Sequence, residues 1–195
     1  MIDVPRETGE LFVALKELVL AESQRQNLIA SSTIPSFDER HLQDSLQLAP
    51  FLPIGPLLDI GSGGGFPGLV LACLVTTPVH LVEPRAKRAA FLQQACDTLG
   101  LGHATVHAVK VERVHLPAVA AITARAVANL GALFEMADHL ADEKTRWVLP
   151  KGRGAASELE EARRTWQGDF RLVPSVTDAE AAIVIAEGVR RRRGR

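Results

Sequence analysis

The stretch Asp59-Ile60-Gly61-Ser62-Gly63-Gly64-Gly65-Phe66-Pro67-Gly68 decides the fold of this chain. Residues 57–60, which overlap its start, are typical of a short buried strand, and residues 67–75 are typical of a helix. Glycines between a strand and a helix lack Cβ atoms and accept positive φ, so backbone N–H groups at the helix start can approach a nucleotide closely. The stretch therefore predicts a ligand of nucleotide type at the end of the first strand.

Downstream of this turn, segments with strand and helix spacing alternate. Strands are predicted at 57–60, 79–82, 105–109, 119–123, 147–149, 170–173 and 182–186, and helices at 67–75, 87–99, 129–140 and 155–166. Such alternation predicts an α/β fold, Rossmann-like, with a mostly parallel seven-strand sheet and helices on both faces. The last two strands have no helix between them and are expected to form an antiparallel hairpin at one edge.

The first 54 residues have helical periodicity and are predicted to form an N-terminal helical extension. One helix is expected over 7–24, and Asp38 is expected to cap a second helix ending near Phe51, with Pro35 and Ser36 in the loop between them. We expect an extension (1–54), a ligand-binding core (55–189) and a basic C-terminal tail (190–195), all within a single domain.

Three kinds of ligand compete for the glycine turn. A P-loop needs Lys and Ser or Thr after its last glycine, and Leu69 follows Gly68 here. A dinucleotide fingerprint that starts at Gly61 would need Gly or Ala at position 66, where Phe66 stands. The spacing from Asp59 to Gly65 favours S-adenosylmethionine, with Glu83 at the end of the second strand placed for ribose hydroxyls. A glycine turn that binds no ligand is the alternative.

Composition is that of a globular protein with a sizeable core, since 47% of its 195 residues are hydrophobic and 23% are charged. The two cysteines, Cys73 and Cys96, have neither metal-site nor disulfide spacing, which indicates a reducing compartment. With no signal-peptide pattern and no apolar stretch long enough for a bilayer, a cytoplasmic protein is expected. Nothing in the sequence demands more than a monomer.

The net charge of −1 conceals an uneven distribution. The last six residues contain five arginines and no acid, whereas the rest of the chain has 17 Lys and Arg against 23 Asp and Glu, a balance of −6. A basic tail on an acidic body suggests RNA or another polyanion as partner, although terminal charge runs are often merely solvated.

The chain resembles the RsmG/GidB family of bacterial 16S rRNA methyltransferases along almost its whole length. The matching segments are Arg40-His41-Leu42-Gln43-Asp44-Ser45, Gly65-Phe66-Pro67-Gly68, Lys87-Arg88 with Phe91-Leu92, Val111-Glu112, Ala124-Arg125-Ala126-Val127 and Lys151-Gly152. The resemblance implies methyl transfer from S-adenosylmethionine to N7 of guanine 527 in 16S rRNA, on the small ribosomal subunit or its assembling form. Lys110, Asn129 and Pro150 depart from the family pattern.

The resemblance and the glycine turn together give a set of candidate site residues. The expected cofactor-binding residues are Asp59, Gly61, Gly63, Gly65, Phe66, Glu83, Val111, Glu112 and Arg125. Arg125 is also expected to position the substrate, with no general base, because guanine N7 carries no proton. The expected RNA contacts are Lys110, Lys151, Arg153, Arg190, Arg191, Arg192 and Arg193. His41 and Asp44, three apart on one helix face, are equally compatible with site contact and with packing.

Other chemistries fit the sequence less well. Exocyclic base methylation usually relies on an Asn/Asp-Pro-Pro-aromatic motif, and Thr123-Ala124-Arg125-Ala126 stands at the corresponding place. Methylation of a pyrimidine carbon needs a nucleophilic cysteine, and neither cysteine lies in such a loop. The histidines show no ligand triad, so no metal is expected. Two alternative functions remain open. The chain could be a methyltransferase of a small molecule or protein, or a catalytically silent nucleotide- or RNA-binding module.

Overall fold

The computed structural model describes residues 4–192, which are built around a seven-strand sheet. The strands are β1 (Leu57–Ile60), β2 (Val79–Val82), β3 (Ala104–His107), β4 (Ala121–Ala124), β5 (Arg146–Lys151), β6 (Trp166–Pro174) and β7 (Ala182–Arg191). Their order is β3-β2-β1-β4-β5-β7-β6, with β1 to β5 parallel and β7 antiparallel to both of its neighbours. The predicted Rossmann-like sheet and its antiparallel edge hairpin are confirmed.

Helices cover both faces of the sheet. They are α1 (Arg6–Ser23), α2 (Asp44–Leu46), α3 (Gly68–Ala72), α4 (Ala86–Thr98), α5 (Leu130–Ala137) and α6 (Ala155–Ala162). Apolar residues of α1, α3 and α4 pack with Leu57 on one face, and those of α5 and α6 pack with Leu58 on the other. Successive strand residues point to opposite faces, so a strand covered on both sides is buried at every position, as β1 is. Among residues 4–192, no helix has the length and apolar character needed to cross a membrane.

The extension differs from its predicted form between α1 and the core. A 3-10 helix (Ser31–Ser36) takes up the expected loop, and a π-helix (Asp38–Gln43) runs directly into α2. Asp38 was predicted to cap this helix, and that prediction is wrong. Its carboxylate instead accepts hydrogen bonds from Lys16 Nζ on α1, at 2.9 and 3.0 Å.

The C-terminal boundary also needs correction. The helix predicted over 155–166 ends at Ala162, and Trp166 begins β6. Trp166 pairs with Arg191 and Gln167 with Arg190, so both arginines belong to β7 rather than to a separate tail. Strand pairing uses the backbone, and beyond Ala186 β7 pairs with β6 alone and the side chains of both arginines are exposed, so arginines are tolerated there. Arg193, the last predicted RNA contact, lies outside the described residues.

Candidate functional site

The two most informative segments meet where the sheet reverses its strand order. From β1 the chain first adds β2 and β3 on one side and then β4 and β5 on the other. In open α/β sheets, ligands bind outside the carboxyl ends of the strands at this switch point. The glycine turn follows β1 and Arg125 follows β4; a Cβ atom on Gly61 would lie 2.6 Å from Cγ2 of Val127.

The glycine turn has the backbone conformation that its sequence predicts. Gly61, Gly63 and Gly65 have φ of +66°, +55° and +94°, values that residues with a Cβ rarely adopt. The Gly63 N–H donates a hydrogen bond of 3.1 Å to Oε2 of Glu83, which ties the turn to the end of β2. The turn is therefore fixed to the carboxyl end of β2.

Asp59 supports this turn from below. Its side chain is fully buried, Oδ2 accepts from the Gly68 N–H at 3.2 Å, and Oδ1 accepts from Thr123 Oγ1 at 2.7 Å. Burial raises the pKa of Asp59 to about 6, even though these hydrogen bonds oppose the shift. In the structure the two oxygens of Asp59 bond to Gly68 and Thr123 and so support the turn; its contact with the cofactor stays a prediction.

Glu83 is the buried acid at the rim of the turn. Oε1 accepts from the backbone N–H of Arg85 at 2.9 Å and from its Nε at 3.0 Å, while Oε2 faces Gly63. Burial alone would raise the pKa of Glu83, but hydrogen bonds from Arg85 and Gly63 outweigh it and hold the pKa below its usual value. Glu83 is thus an ionised acceptor, partly covered by an exposed arginine side chain.

The predicted adenine-side residues follow β3, next to the end of β2. Val111 and Glu112 form a short 3-10 helix in which Val111 is buried and Glu112 is exposed. Lys110, the preceding residue and a predicted RNA contact, is exposed. The sheet order brings these residues to the same edge as Glu83, as the prediction requires.

Arg125 is held by three acceptors from the extension. Its Nη1 donates to the carbonyl of Arg40 and to Oδ2 of Asp44, both at 3.1 Å, and its Nη2 lies 3.3 Å from Nδ1 of His41. The guanidinium also lies over the ring of Phe66, 5.4 Å from its centroid. Arg125 and Asp44 are only 21% and 23% exposed, so this ion pair is more sheltered than a surface pair.

The hydrogen bonds of His41 define its tautomer. Thr33 Oγ1 donates to the carbonyl of Ala30, so it accepts from Nε2–H of His41 at 2.8 Å. Nδ1 of the imidazole is then a free lone pair that accepts from Arg125. Burial and the positive charge of Arg125 lower the pKa of His41 to about 4, although Asp44 opposes the shift. His41 is therefore neutral at physiological pH.

Phe66 joins the glycine turn to this cluster. Its ring lies 4.9 Å from the imidazole of His41 and 5.6 Å from the ring of Phe37, and the residue is buried. Gly64 also packs closely on the extension, because a Cβ atom there would lie 3.2 Å from the carbonyl oxygen of Leu28. The extension is therefore part of the site.

A cavity of about 620 Å³ opens beside Arg125, within the usual size range of ligand pockets. Its walls include Asp44, Lys151 and Glu158, together with residues of the β6–β7 turn that sequence reasoning missed: Ser175, Thr177 and Asp178. Gln47, also missed, is buried and bonds to Ser175, Val176 and Thr177. These partners lie about 130 residues away in sequence, and no local pattern signals them.

The predicted RNA contacts differ in how accessible they are. Lys151 is turned inward, since its side chain is 9% exposed and Nζ bonds to the Ala128 carbonyl at 2.6 Å and to Glu158 at 2.9 Å. Arg153 is 81% exposed and pairs with Glu180. Of the C-terminal arginines, Arg191 pairs with Glu135 and Nε of Arg192 donates to the carbonyls of Arg163 and Trp166, whereas Arg190 bonds to the carbonyl of Gly188.

Neither a metal centre nor a reactive thiol is found in the described part of the chain. Residues 4–192 contain no group of three or more His, Cys, Asp or Glu side chains that could hold a metal ion. Nε2 of His107 lies 3.1 Å from Nδ1 of His80 on the neighbouring strand. Burial raises the pKa of Cys73 to about 12 and that of Cys96 to about 11, so both are protonated thiols.

Solved structures share this fold at low sequence identity. The glycopeptide N-methyltransferase MtfA complexed with S-adenosylmethionine has a TM-score of 0.64 at 10% identity, covering 75% of this chain and 94% of that one. A mutant of MtNAS in complex with S-adenosylmethionine has a TM-score of 0.62 at 17% identity, covering 91% and 71% of the two chains. These similarities establish the fold alone.

Sequence comparisons identify the family. Residues 9–183 match the family model GidB, described as rRNA small subunit methyltransferase G. The ribosomal RNA small subunit methyltransferase G of Rhizorhabdus wittichii is 45% identical over 194 residues, covering 97% of this chain and 89% of that protein. Its counterpart in Zymomonas mobilis is 41% identical, covering 95% and 88%. This chain therefore belongs to the GidB family of ribosomal RNA small subunit methyltransferases G.

Proposed function

We propose that this chain transfers a methyl group from S-adenosylmethionine to N7 of guanine 527 in 16S rRNA, acting in the cytoplasm as a monomer on the small ribosomal subunit or its assembling form. Its family supports methylation of small-subunit rRNA. One observation supports the assignment of cofactor and acceptor base. The glycine turn, bonded to the buried carboxylate of Glu83, lies on one side of the switch point, and the cavity lined by Arg125 lies on the other.

The residues after β1, β2 and β3 fit S-adenosylmethionine. Gly61 and Gly63 keep the turn free of Cβ atoms, Glu83 offers a carboxylate to the ribose hydroxyls, and Val111 and Glu112 border the adenine position. When bound, S-adenosylmethionine supplies a methyl group on a positively charged sulfur. The buried Asp59 fixes the turn that holds it.

The chemistry asks the protein for orientation rather than for proton transfer. Guanine N7 has a lone pair and no proton, so its attack forms the N7–methyl bond as the methyl–sulfur bond breaks, and the positive charge moves to the purine. Holding the base in line can lower the barrier by about 7–11 kcal/mol. Arg125 lines the cavity on the acceptor side and is the residue assigned to this positioning.

Methylation of a pyrimidine carbon is disfavoured by the state of the thiols. That reaction needs a cysteine thiolate, and the raised pKa values of Cys73 and Cys96 keep both thiols protonated. Both cysteines also pack in the apolar layer with α1, α3 and α4.

Labelled S-adenosylmethionine and small subunits from a strain that lacks the modification test the proposal. We expect label at a guanine whose ribose–phosphate link breaks after borohydride and aniline treatment, which act on 7-methylguanine. Arg125→Ala should lower transfer sharply in protein that circular dichroism shows to be folded at the assay temperature. Label in protein or in a small molecule would support the alternative methyltransferases. Cofactor binding without any transfer would support a silent module.

A further inference from the structure

The N-terminal extension supplies three of the groups that contact the guanidinium of Arg125. An arginine has five N–H donors, and three of them meet the Arg40 carbonyl, the Asp44 carboxylate and Nδ1 of His41. Among residues 4–192, Nε–H has no hydrogen-bond partner, and it shares one edge of the planar guanidinium with an Nη2–H group, an arrangement that suits an oxygen acceptor.

This arrangement matters because the most frequent arginine–guanine contact would block the reaction. A freely rotating arginine binds O6 and N7 of guanine together. That contact would occupy the N7 lone pair, which must remain free to attack the methyl group. An arginine with a fixed edge can hold an oxygen of the nucleotide, O6 or a phosphate oxygen, without turning onto N7.

We propose that Asp44 and His41 are positioning residues for methyl transfer, which fix Arg125 so that its remaining donor edge serves an oxygen of the acceptor nucleotide and leaves N7 free. This inference rests on the proposed function, because it assumes that N7 is the methyl acceptor.

Both positioning residues are themselves held in place. Oδ1 of Asp44 accepts from Gln47 Nε2 and Thr177 Oγ1, both at 2.9 Å, which leaves Oδ2 for Arg125. Thr33 fixes the tautomer of His41, and the imidazole lies against Phe66.

A double-mutant cycle between Asp44 and Arg125 tests this role, read out as single-turnover transfer to small subunits. Asp44→Asn keeps the side-chain shape but removes the charge, and we expect at least a tenfold slower rate, with KM and S-adenosylmethionine affinity within threefold of wild type. In an Arg125→Ala background, the same substitution should cost less than twofold. Asp44→Glu should recover part of the rate. Glu160→Gln, which removes an acid from a surface pair with Arg163, is the matched control.

Two His41 variants separate the contribution of Nδ1 as an acceptor from that of the ring as a packing group. The side-chain oxygen of His41→Asn can take the place of Nδ1 as acceptor, whereas His41→Phe keeps only the stacking on Phe66. We expect the Asn variant to be the faster of the two. An equal loss of transfer rate in both His41 variants would overturn the inference. So would a double variant of Asp44 and Arg125 whose loss of rate is the product of the two single losses. If the wild type labels another atom or another RNA, the proposed function fails, and the cycle still measures coupling on that substrate.

Discussion

His41 should make the stability of the protein depend on pH in a way that a phenylalanine at this position removes. The pKa of its imidazole is about 4 in the folded protein, against an ordinary value of 6.5. Burial lowers it first, Arg125 and Arg40 lower it further, and Asp44 raises it. The folded state therefore disfavours the protonated imidazole, which the unfolded chain accepts below pH 6.5.

The sign and the size follow from proton linkage. Above pH 6.5, His41 is neutral in both states and contributes no penalty; as the pH falls from 6.5 toward 4, the unfolded chain binds the proton and stability is lost. At pH 5 the loss is about 2 kcal/mol, and it levels off at about 3 kcal/mol below pH 4. Protonation would also remove the acceptor that Arg125 uses.

Urea unfolding of the wild type and His41→Phe at pH 7.5 and pH 5 measures this effect, since the other titrating groups are shared. The difference in free energy of unfolding between the two proteins should move by about 2 kcal/mol in favour of the variant at the lower pH. In a proton-detected titration, the pKa of His41 should rise in Arg125→Gln. A difference that stays constant to within about 0.5 kcal/mol between the two pH values would refute the reasoning.

Four further changes have defined outcomes. Glu83→Gln should weaken S-adenosylmethionine binding by about tenfold to a hundredfold in calorimetry, because a charge-assisted hydrogen bond contributes about 1.5–3 kcal/mol. Gly68→Ala should lower the free energy of unfolding by about 1–3 kcal/mol, because its Cβ would lie 2.5 Å from a buried carboxylate oxygen. Gly9 lies in α1, and a Cβ atom added there would meet no atom within 4 Å, so Gly9→Ala should raise the free energy of unfolding by about 0.5–1 kcal/mol. Neutralising Arg190 and Arg193 with glutamine should flatten the salt dependence of rRNA binding and leave cofactor affinity unchanged; an unaltered slope would exclude them as phosphate contacts.

The features predictable from sequence are those that local physics determines. The glycine turn requires positive φ, and burial on both faces favours a largely apolar strand such as β1, so each of these features shows in a few adjacent residues. The acid at the end of β2 follows from the spacing between two strands. These features locate the carboxyl edge of the sheet without any knowledge of distant contacts.

The features that sequence did not reveal depend on contacts between distant segments. Asp38 is of a residue type that often caps helices, but its carboxylate accepts a hydrogen bond from Lys16 on α1 instead. Lys151 ends β5, where a phosphate contact is expected, but it bonds to Glu158 and a backbone carbonyl and points inward. Gln47 has no motif, because its partners lie on the β6–β7 turn. Sequence spacing determines the position of a residue on its strand or helix, whereas the packing of distant segments determines which partner its side chain contacts.

The most direct test of the account is the position of the transferred methyl group. Small subunits lacking the modification should be incubated with this protein and S-adenosylmethionine, treated with borohydride and aniline, and read by primer extension along 16S rRNA. We expect one new stop, at guanine 527, that requires both the protein and the cofactor and disappears in Arg125→Ala. Methyl incorporation without scission, or scission at another guanine, would contradict it.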